Sequence, residues 1–298
     1  MSSILYKDTY HTKGSTYFIV SVLHPFPSTN SSDLPHFLLE IDGSHLLTDY
    51  LDFVKPKEAK WVKDIEIRSD PGIDRRTFGL TDAYDTTYLA LTEKGEIAAS
   101  FSVYSSQTDS QAGLVAHIRT HDVHRQRGLS SVLGEIAHQE WYRDNPERFL
   151  ILHVTNPHAH RLYQKQGYVT LVGKISDKEE DPGEVMARPA DTGRNIYGLI
   201  DDRYGKYDTK NLVRRPIIRS DLAGFITLFA AEGRLDARIN KLKMNNSNSS
   251  EDCFTTIMLE NSQEMIVEGI FKDNNILVGV TVFPYGKPED CESYLLHL

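Results

Sequence analysis

Between residues 114 and 167 the sequence sets a strand pattern and a helix pattern in alternation, twice over, and this order restricts the fold more than any other feature. Leu114–Thr120 reads as a strand. Gly128–Arg143 then places Leu129, Val132, Leu133, Ile136 and Ala137 at the i, i+3, i+4, i+7, i+8 spacing of one helical face. Phe149–Val154 is a nearly continuous apolar run, the pattern of a strand covered on both faces. The next helix is marked at both ends: Asn156 suits the N-cap, Pro157 the first helical position, and Gly167 follows the last turn. A strand-helix-strand-helix order calls for parallel strands joined by a right-handed crossover. The fold class is therefore α/β.

Weaker signals flank this unit. Tyr88–Leu91 and Ile97–Tyr104 read as a β-hairpin across Glu93-Lys94-Gly95. Tyr168–Lys174 and Val185–Arg188 read as a closing strand pair around the acidic loop 177–184. Nearer the start, residues 25–35 form a loop and Phe37–Ile41 a short strand. Ser44 then caps a helix with Leu46, Leu47, Tyr50, Leu51 and Val54 on one face, interrupted by Pro56. Residues 57–85 show no clear pattern.

Residues 189–211 are polar and read as a linker. Beyond it come a strand at Pro216–Arg219, a helix capped by Ser220 with Leu222, Phe225, Ile226 and Phe229 inward, and a polar loop at 245–252. A hairpin of Met265–Phe271 and Ile276–Phe283 and a final strand at Tyr294–Leu298 follow. This gives a main domain over 1–190, a linker over 191–211 and a second part over 212–298. No sequence period supports a repeat, so the reading of the second part rests on element order alone.

With 298 residues, the chain suits one large domain or two ordinary ones. Its 40% apolar and 25% charged residues are those of an ordinary globular protein. The apolar runs are far shorter than a bilayer span, and Met1–Tyr10 lacks the apolar region of a secretory signal. The two cysteines, Cys253 and Cys291, have no metal-like spacing and fit a reducing cytosol, so a cytoplasmic location is expected. The net charge of −9 and the absence of a basic block argue against nucleic acid. An acidic surface either simply aids solubility or attracts a cationic substrate.

Two constellations carry chemistry. The first is Arg125-Gln126-Arg127-Gly128-Leu129-Ser130, which follows a strand and opens a helix. Backbone N–H groups at a helix start lack partners and carry partial positive charge, and a glycine lets an anion approach them closely. The second is Asn156-Pro157-His158-Ala159-His160-Arg161-Leu162-Tyr163, followed by Gly167-Tyr168. Tyr163 lies two helical turns after Asn156 and on the same face. Taken alone, Gly128 and its neighbours could serve packing, Asn156 could be only a cap and Tyr163 only a core aromatic.

Together the two segments resemble the signature of the GNAT (GCN5-related N-acetyltransferase) family. The family's Arg/Gln-x-x-Gly-x-Gly/Ala motif is matched by Arg125, Gly128 and Ser130, with Ser130 departing from the usual Gly or Ala. Its Asn-x-x-Ala-x-x-Leu-Tyr motif, followed by Gly-Phe/Tyr, is matched by Asn156, Ala159, Leu162, Tyr163, Gly167 and Tyr168. The resemblance covers residues 85–190. It implies a GNAT fold, α/β in the α+β sense, with a mixed twisted sheet flanked by helices and a second partial GNAT-like domain at the C-terminus. It also implies acetyl-CoA as co-substrate. Ile118, Arg119 and Thr120 would pair with the pantetheine arm. Arg125, Gln126, Arg127, Gly128, Leu129, Ser130 and Ser131 would hold the pyrophosphate. Asn156 would contact the arm near the thioester, and Tyr163 would protonate the departing thiolate.

The acceptor is then an amine that must lose a proton before it attacks. His117, His121 and Asp122 are candidate bases, His117 first, though the motif fixes none of them. For the clusters His117, His121, His124 and His153, His158, His160 a zinc site would also need ordered convergence and usually cysteine or carboxylate help, so no metal is expected and solvated or packing histidines are the default. The expected activity is acetyl transfer to a small cationic molecule, with a monomer or homodimer acting without membrane or nucleic-acid partners. At the level of architecture, self-resistance acetyltransferases of the zwittermicin and paenilamicin type are similar, since they pair a GNAT core with a second such domain. Acetylation of a protein N-terminus or lysine is the alternative within the family, and non-catalytic acyl-CoA sensing the alternative outside it.

Overall fold

The computed structural model describes residues 4–12, 14–23, 43–55, 65–66, 83–174, 183–205, 209–231, 265–272, 275–284 and 292–295. The expected strand at Phe37–Ile41, both cysteines and the loops at 25–35, 177–182 and 245–252 lie outside them. The chain divides into two compact units. One comprises residues 1–74, 84–104 and 115–143, the other 75–83, 105–114 and 144–298.

The first unit opens with a hairpin that the sequence reading does not contain. Strand β1 (Ile4–Thr12) pairs antiparallel with β2 (Ser15–Leu23) across a turn at Gly14, and β2 pairs with β3 (Thr86–Thr92). β3 and β4 (Ile97–Ser105) form the expected antiparallel hairpin, and β4 neighbours β5 (Ala112–Thr120). Helix α1 (Gly43–Val54) buries Leu46, Tyr50, Phe53 and Val54 against Val20, Val22, Leu89 and Leu91 of β2 and β3. It begins at Gly43, so Ser44 lies inside it rather than at its cap. A short 3₁₀ turn (Asp122–His124) leads from β5 to helix α2 (Leu129–Tyr142). The inward face of α2 is Leu129, Leu133, Ala137 and Trp141, close to the face expected from the sequence.

In the second unit the first residues of β5 run parallel to β6 (Phe149–Val154), over Ala112–Leu114 against Phe149–Ile151. This is the expected parallel pair. Helix α3 (Pro157–Lys165) follows β6. The strands β7 (Val169–Lys174) and β8 (Gly183–Pro189) pair antiparallel, and β8 lies between β6 and β7. The strands thus form a mixed sheet with helices, as the α/β reading expects.

The linker reading of 191–211 gives way at its centre. Ile196–Tyr204 is a helix, α4, capped by the Asn195 side chain, which accepts a bond from the Tyr197 N–H at 3.0 Å. Ile196, Leu199, Ile200, Arg203 and Tyr204 are buried. The inward arginine breaks the apolar pattern and hides the helix from a reading of polarity. Its guanidinium makes a two-pronged ion pair with Asp109, Nη1 lying 2.9 Å from Oδ1 and Nη2 bonding Oδ2, and Nη1 also reaches Gln111 at 3.0 Å.

Farther on, β9 (Val213–Pro216) and a 3₁₀ turn (Arg219–Asp221) lead into α5 (Leu222–Ala231). The strand sits about three residues earlier than expected. The carboxylate of Asp221, not Ser220, accepts the Ile218 N–H, at 2.9 Å, and Asp221 also pairs with Arg215 at 2.7 Å. Helix α5 has no charged side chain and is buried along its length, which follows from contact with β11 (Ile276–Pro284) and also with β6 and β7. β10 (Met265–Lys272) and β11 form the expected hairpin, and β12 (Glu292–Leu295) completes a four-stranded sheet in the order β12-β11-β10-β9.

Candidate functional site

The glycine-containing turn belongs to the first unit. Gly128 is the N-cap of α2, with φ 79° in the left-handed region, and no side chain caps the helix there. Two residues earlier, Gln126 has φ 61°, a conformation that non-glycine residues adopt uncommonly. The carbonyl of Gly128 accepts from the N–H of Ser131 at 3.0 Å and of Val132 at 3.1 Å, starting the helix. The backbone at this helix start carries the positive end of the helix dipole. Gly128 and Gln126 are exposed, while the Leu129 side chain is buried in the core, leaving Leu129 only a backbone role at the surface.

The sequence-assigned residues fall into distinct environments. Ile118, Arg119 and Thr120 end β5 and are half-buried. Thr120 Oγ1 and Ser130 Oγ are 2.8 Å apart, tying the strand end to the helix start. Ser130 thus does more than fit where a glycine or alanine is usual. Arg119 stacks over the Phe53 ring at 4.7 Å, and partial burial lowers its pKa, with Arg125 adding to the effect and Asp122 opposing it. Arg125 is exposed and pairs with Asp122 at 2.6 Å. The guanidinium of Arg127 does not extend toward solvent. Its Nη1 donates to Tyr17 Oη at 2.9 Å and to Ser15 Oγ, and its Nη2 reaches the Val123 carbonyl at 3.4 Å. Ser131 is exposed on the first turn.

The candidate bases separate as well. His117 is 2% exposed, sits at φ 50° within β5, and bonds the Tyr104 hydroxyl through Nδ1 at 2.7 Å. The Ser100 hydroxyl donates to its carbonyl at 2.7 Å. Both rings are buried, so the His117 imidazole does not face solvent directly. His121 and Asp122 are exposed, and the His121 ring accepts the Val123 N–H at 3.5 Å.

The second constellation belongs to the second unit. Asn156 caps α3, its Oδ1 accepting from the N–H groups of His158 at 2.8 Å and Ala159 at 3.3 Å. Pro157 occupies the first turn as expected. Tyr163 is 7% exposed, its ring 5.8 Å from that of Tyr168, and the Tyr168 N–H bonds the Tyr163 carbonyl at 3.0 Å. Burial holds the Tyr163 hydroxyl well above the ordinary tyrosine range. Like any tyrosine hydroxyl it is protonated at neutral pH and can donate a hydrogen bond, and burial makes its proton harder to release. Gly167 has φ 88°, and a Cβ there would lie 2.6 Å from Thr192 Cγ2, so the glycine after α3 is required by both conformation and space. Nearby, His160 Nε2 and Thr170 Oγ1 approach the same Glu184 oxygen at 2.9 and 2.6 Å.

Among the described residues, no three His, Cys, Asp or Glu side chains are grouped to hold a metal ion, and no helix is long and apolar enough to cross a membrane. The sequence reading missed Tyr10, Ser15 and Tyr17 and weighed His124 only as a metal ligand, although all four bond at or near the glycine turn. Three of them lie more than a hundred residues upstream of it, and no local pattern connects them.

Neither a family model nor a characterised protein matches the chain in sequence. Solved structures similar to it include Escherichia coli ElaA, 17% identical, with 50% of this chain and 93% of that chain covered and a TM-score of 0.36. A GNAT-family acetyltransferase from Staphylococcus aureus is 11% identical, with 49% and 94% covered and a TM-score of 0.36. A nourseothricin acetyltransferase is 22% identical, with 36% of this chain and 66% of that chain covered and a TM-score of 0.30.

Proposed function

We propose that the chain is an acetyl-CoA-dependent N-acetyltransferase acting on an amine of a small cationic molecule. The observation that carries this reading is the glycine turn: a left-handed Gly128, uncapped by any side chain, opens a helix directly after a strand, in register with the Arg125-x-x-Gly128-x-Ser130 motif. Such a turn suits a pyrophosphate, which can accept hydrogen bonds from backbone N–H groups at the start of a helix. Arg125 adds charge, and its pairing with Asp122 is at the surface, where exchange for a phosphate costs little. The Ile118–Thr120 backbone is the proposed partner of the pantetheine arm, and Asn156 that of the group near the thioester.

The chemistry asked of the chain is modest. The neutral amine attacks the thioester carbonyl carbon, and the C–S bond breaks as the amide C–N bond forms. The nitrogen sheds a proton and the sulfur gains one. Tyr163, protonated at neutral pH as any tyrosine is, is the proposed donor to sulfur. His117 through Tyr104 is the proposed route for the proton lost by nitrogen. The acidic balance of the chain supports a cationic acceptor by drawing it in. Residues 212–298 are proposed as a partial GNAT-like domain, and the protein as cytoplasmic.

A panel of polyamines, aminated antibiotics and lysine peptides, each with acetyl-CoA and a thiol reagent, tests the reading. Thiol release with the small amines supports it. Release only with polypeptides makes the protein-acetylating alternative correct. CoA binding without release on any acceptor makes the chain a sensor.

A further inference from the structure

We infer that the β1–β2 hairpin is the part that holds the glycine turn in its binding shape, and that Arg127 is a positioning residue of this clamp rather than a phosphate ligand. The inference rests on the proposal that the turn binds the pyrophosphate of CoA. It assigns to Tyr10, Ser15, Tyr17, His124 and Arg127 a role that the motif does not contain.

The peptide between Arg127 and Gly128 lies next to two left-handed residues, Gln126 at φ 61° and Gly128 at φ 79°. Glycine adopts that region freely, but glutamine does so only where its surroundings impose it. The imposing contacts come from the hairpin. The Tyr10 hydroxyl donates to the Arg127 carbonyl at 3.0 Å. The same hydroxyl lies 3.0 Å from the point where a Cβ on Gly128 would stand, so it sits directly against the cap. Arg127 spends its guanidinium on Ser15, Tyr17 and the Val123 carbonyl.

The hydrogens in this network are assigned by elimination. Arg127 Nη1 can only donate, so Tyr17 Oη accepts from it at 2.9 Å. With Arg127 donating to it, the Tyr17 O–H is free to donate to His124 Nδ1, 3.0 Å away. His124 is then neutral, with its proton on Nε2. Its ring meets Tyr17 edge-on at 5.6 Å. The turn from His124 to Gly128 is thereby pinned to the hairpin at a ring, a side chain and a carbonyl. A turn fixed in advance spares the ligand the cost of ordering it, so loosening the clamp weakens binding and leaves the chemical step alone.

The test uses the full chain and the variants Tyr10→Phe, Tyr17→Phe, Arg127→Lys and Arg127→Met. The readouts are CoA affinity by calorimetry, KM and kcat for acetyl-CoA, and hydrogen exchange of the amides of residues 124–129. The clamp predicts that Tyr10→Phe weakens CoA binding and raises KM roughly five- to tenfold, the effect of one lost hydrogen bond, and that Tyr17→Phe, which loses two, does so by more, with kcat unchanged in both. It predicts that Arg127→Lys is as impaired as Arg127→Met, because lysine keeps the charge but cannot bridge Ser15 and Tyr17 at once. Exchange at 124–129 speeds up in all four.

Full affinity in Arg127→Lys together with loss in Arg127→Met would make Arg127 a phosphate ligand and overturn the inference. Unchanged exchange and affinity in both Phe variants would overturn it too. A parent chain that binds no CoA would defeat the acetyltransferase reading instead. The clamp would then stand with faster exchange at 124–129 in the Phe variants and fall with unchanged exchange.

Discussion

Replacing Gly128 separates the two properties that make the turn a cradle: its backbone shape and its accessibility to an anion. Any side chain at φ 79° is strained, and its Cβ meets Tyr10 Oη at 3.0 Å, which needs a shift of a few tenths of an ångström. The strain for an ordinary residue is about 1–2 kcal/mol, and less for asparagine and aspartate, which tolerate this region. Gly128→Asn therefore weakens CoA binding about threefold to tenfold. Gly128→Asp has nearly the same shape but adds a carboxylate beside the expected phosphate, at a separation taken as about 5 Å for a charge on the adjoining side chain. At an effective dielectric constant of about 20, that repulsion is about 3 kcal/mol per phosphate charge, or about a hundredfold or more in affinity. Calorimetric titration of CoA into the two variants at low and high salt measures the difference, which shrinks as salt screens the carboxylate. Equal affinities for Gly128→Asn and Gly128→Asp would refute the reasoning, because no anion would then sit at this turn.

Tyr163→Phe keeps the ring beside Tyr168 and removes the proton donor, so turnover falls about 10²-fold, the low end for a general acid, with CoA affinity retained; near-normal turnover would leave Tyr163 a packing residue. Asp109→Ala strands the buried Arg203 charge and lowers unfolding free energy by about 3–5 kcal/mol, whereas Asp109→Leu with Arg203→Met recovers most of it, both read by chemical denaturation. Acid weakens CoA binding through His124, whose pKa is lowered by burial and by Arg127 and His121, with Glu96 opposing. Because the folded, clamped state holds this group neutral, affinity is full above the ordinary histidine value of about 6.5 and falls as pH drops through the lowered one. Titration between these limits in the parent and in His124→Gln checks it, the variant losing the dependence.

The segment from β3 to α3 is legible in the sequence because each element there carries its own marker. Asn156, Pro157 and Gly167 bound one helix, and Phe149–Val154 is apolar enough to be nothing but a covered strand. The hairpin at 4–23 is not legible to the same reading. β1 is an edge strand whose burial alternates irregularly, with a register shift between Tyr6 and Asp8, so its sequence has no clean period. Helix α4 is hidden for another reason: its inward positions include Arg203, an apolar-face residue only because Asp109 neutralises it. The motif residues of the candidate site are local and visible. What fixes them is not, since Tyr10 and Tyr17 act across more than a hundred residues of chain. The family resemblance also assigns Arg127 by its place in the turn, while its side chain bonds the hairpin residues Ser15 and Tyr17.

Carbon-13 spectroscopy of acetyl-CoA labelled at the acetyl carbonyl follows the central claim, the exchange of a thioester for an amide, bond by bond. With the chain and a small polyamine present, the account predicts that the thioester carbonyl signal decays while an amide carbonyl signal grows in proportion, and that neither changes without the amine. A thioester signal that persists with every amine, or that turns into free acetate alone, would contradict it.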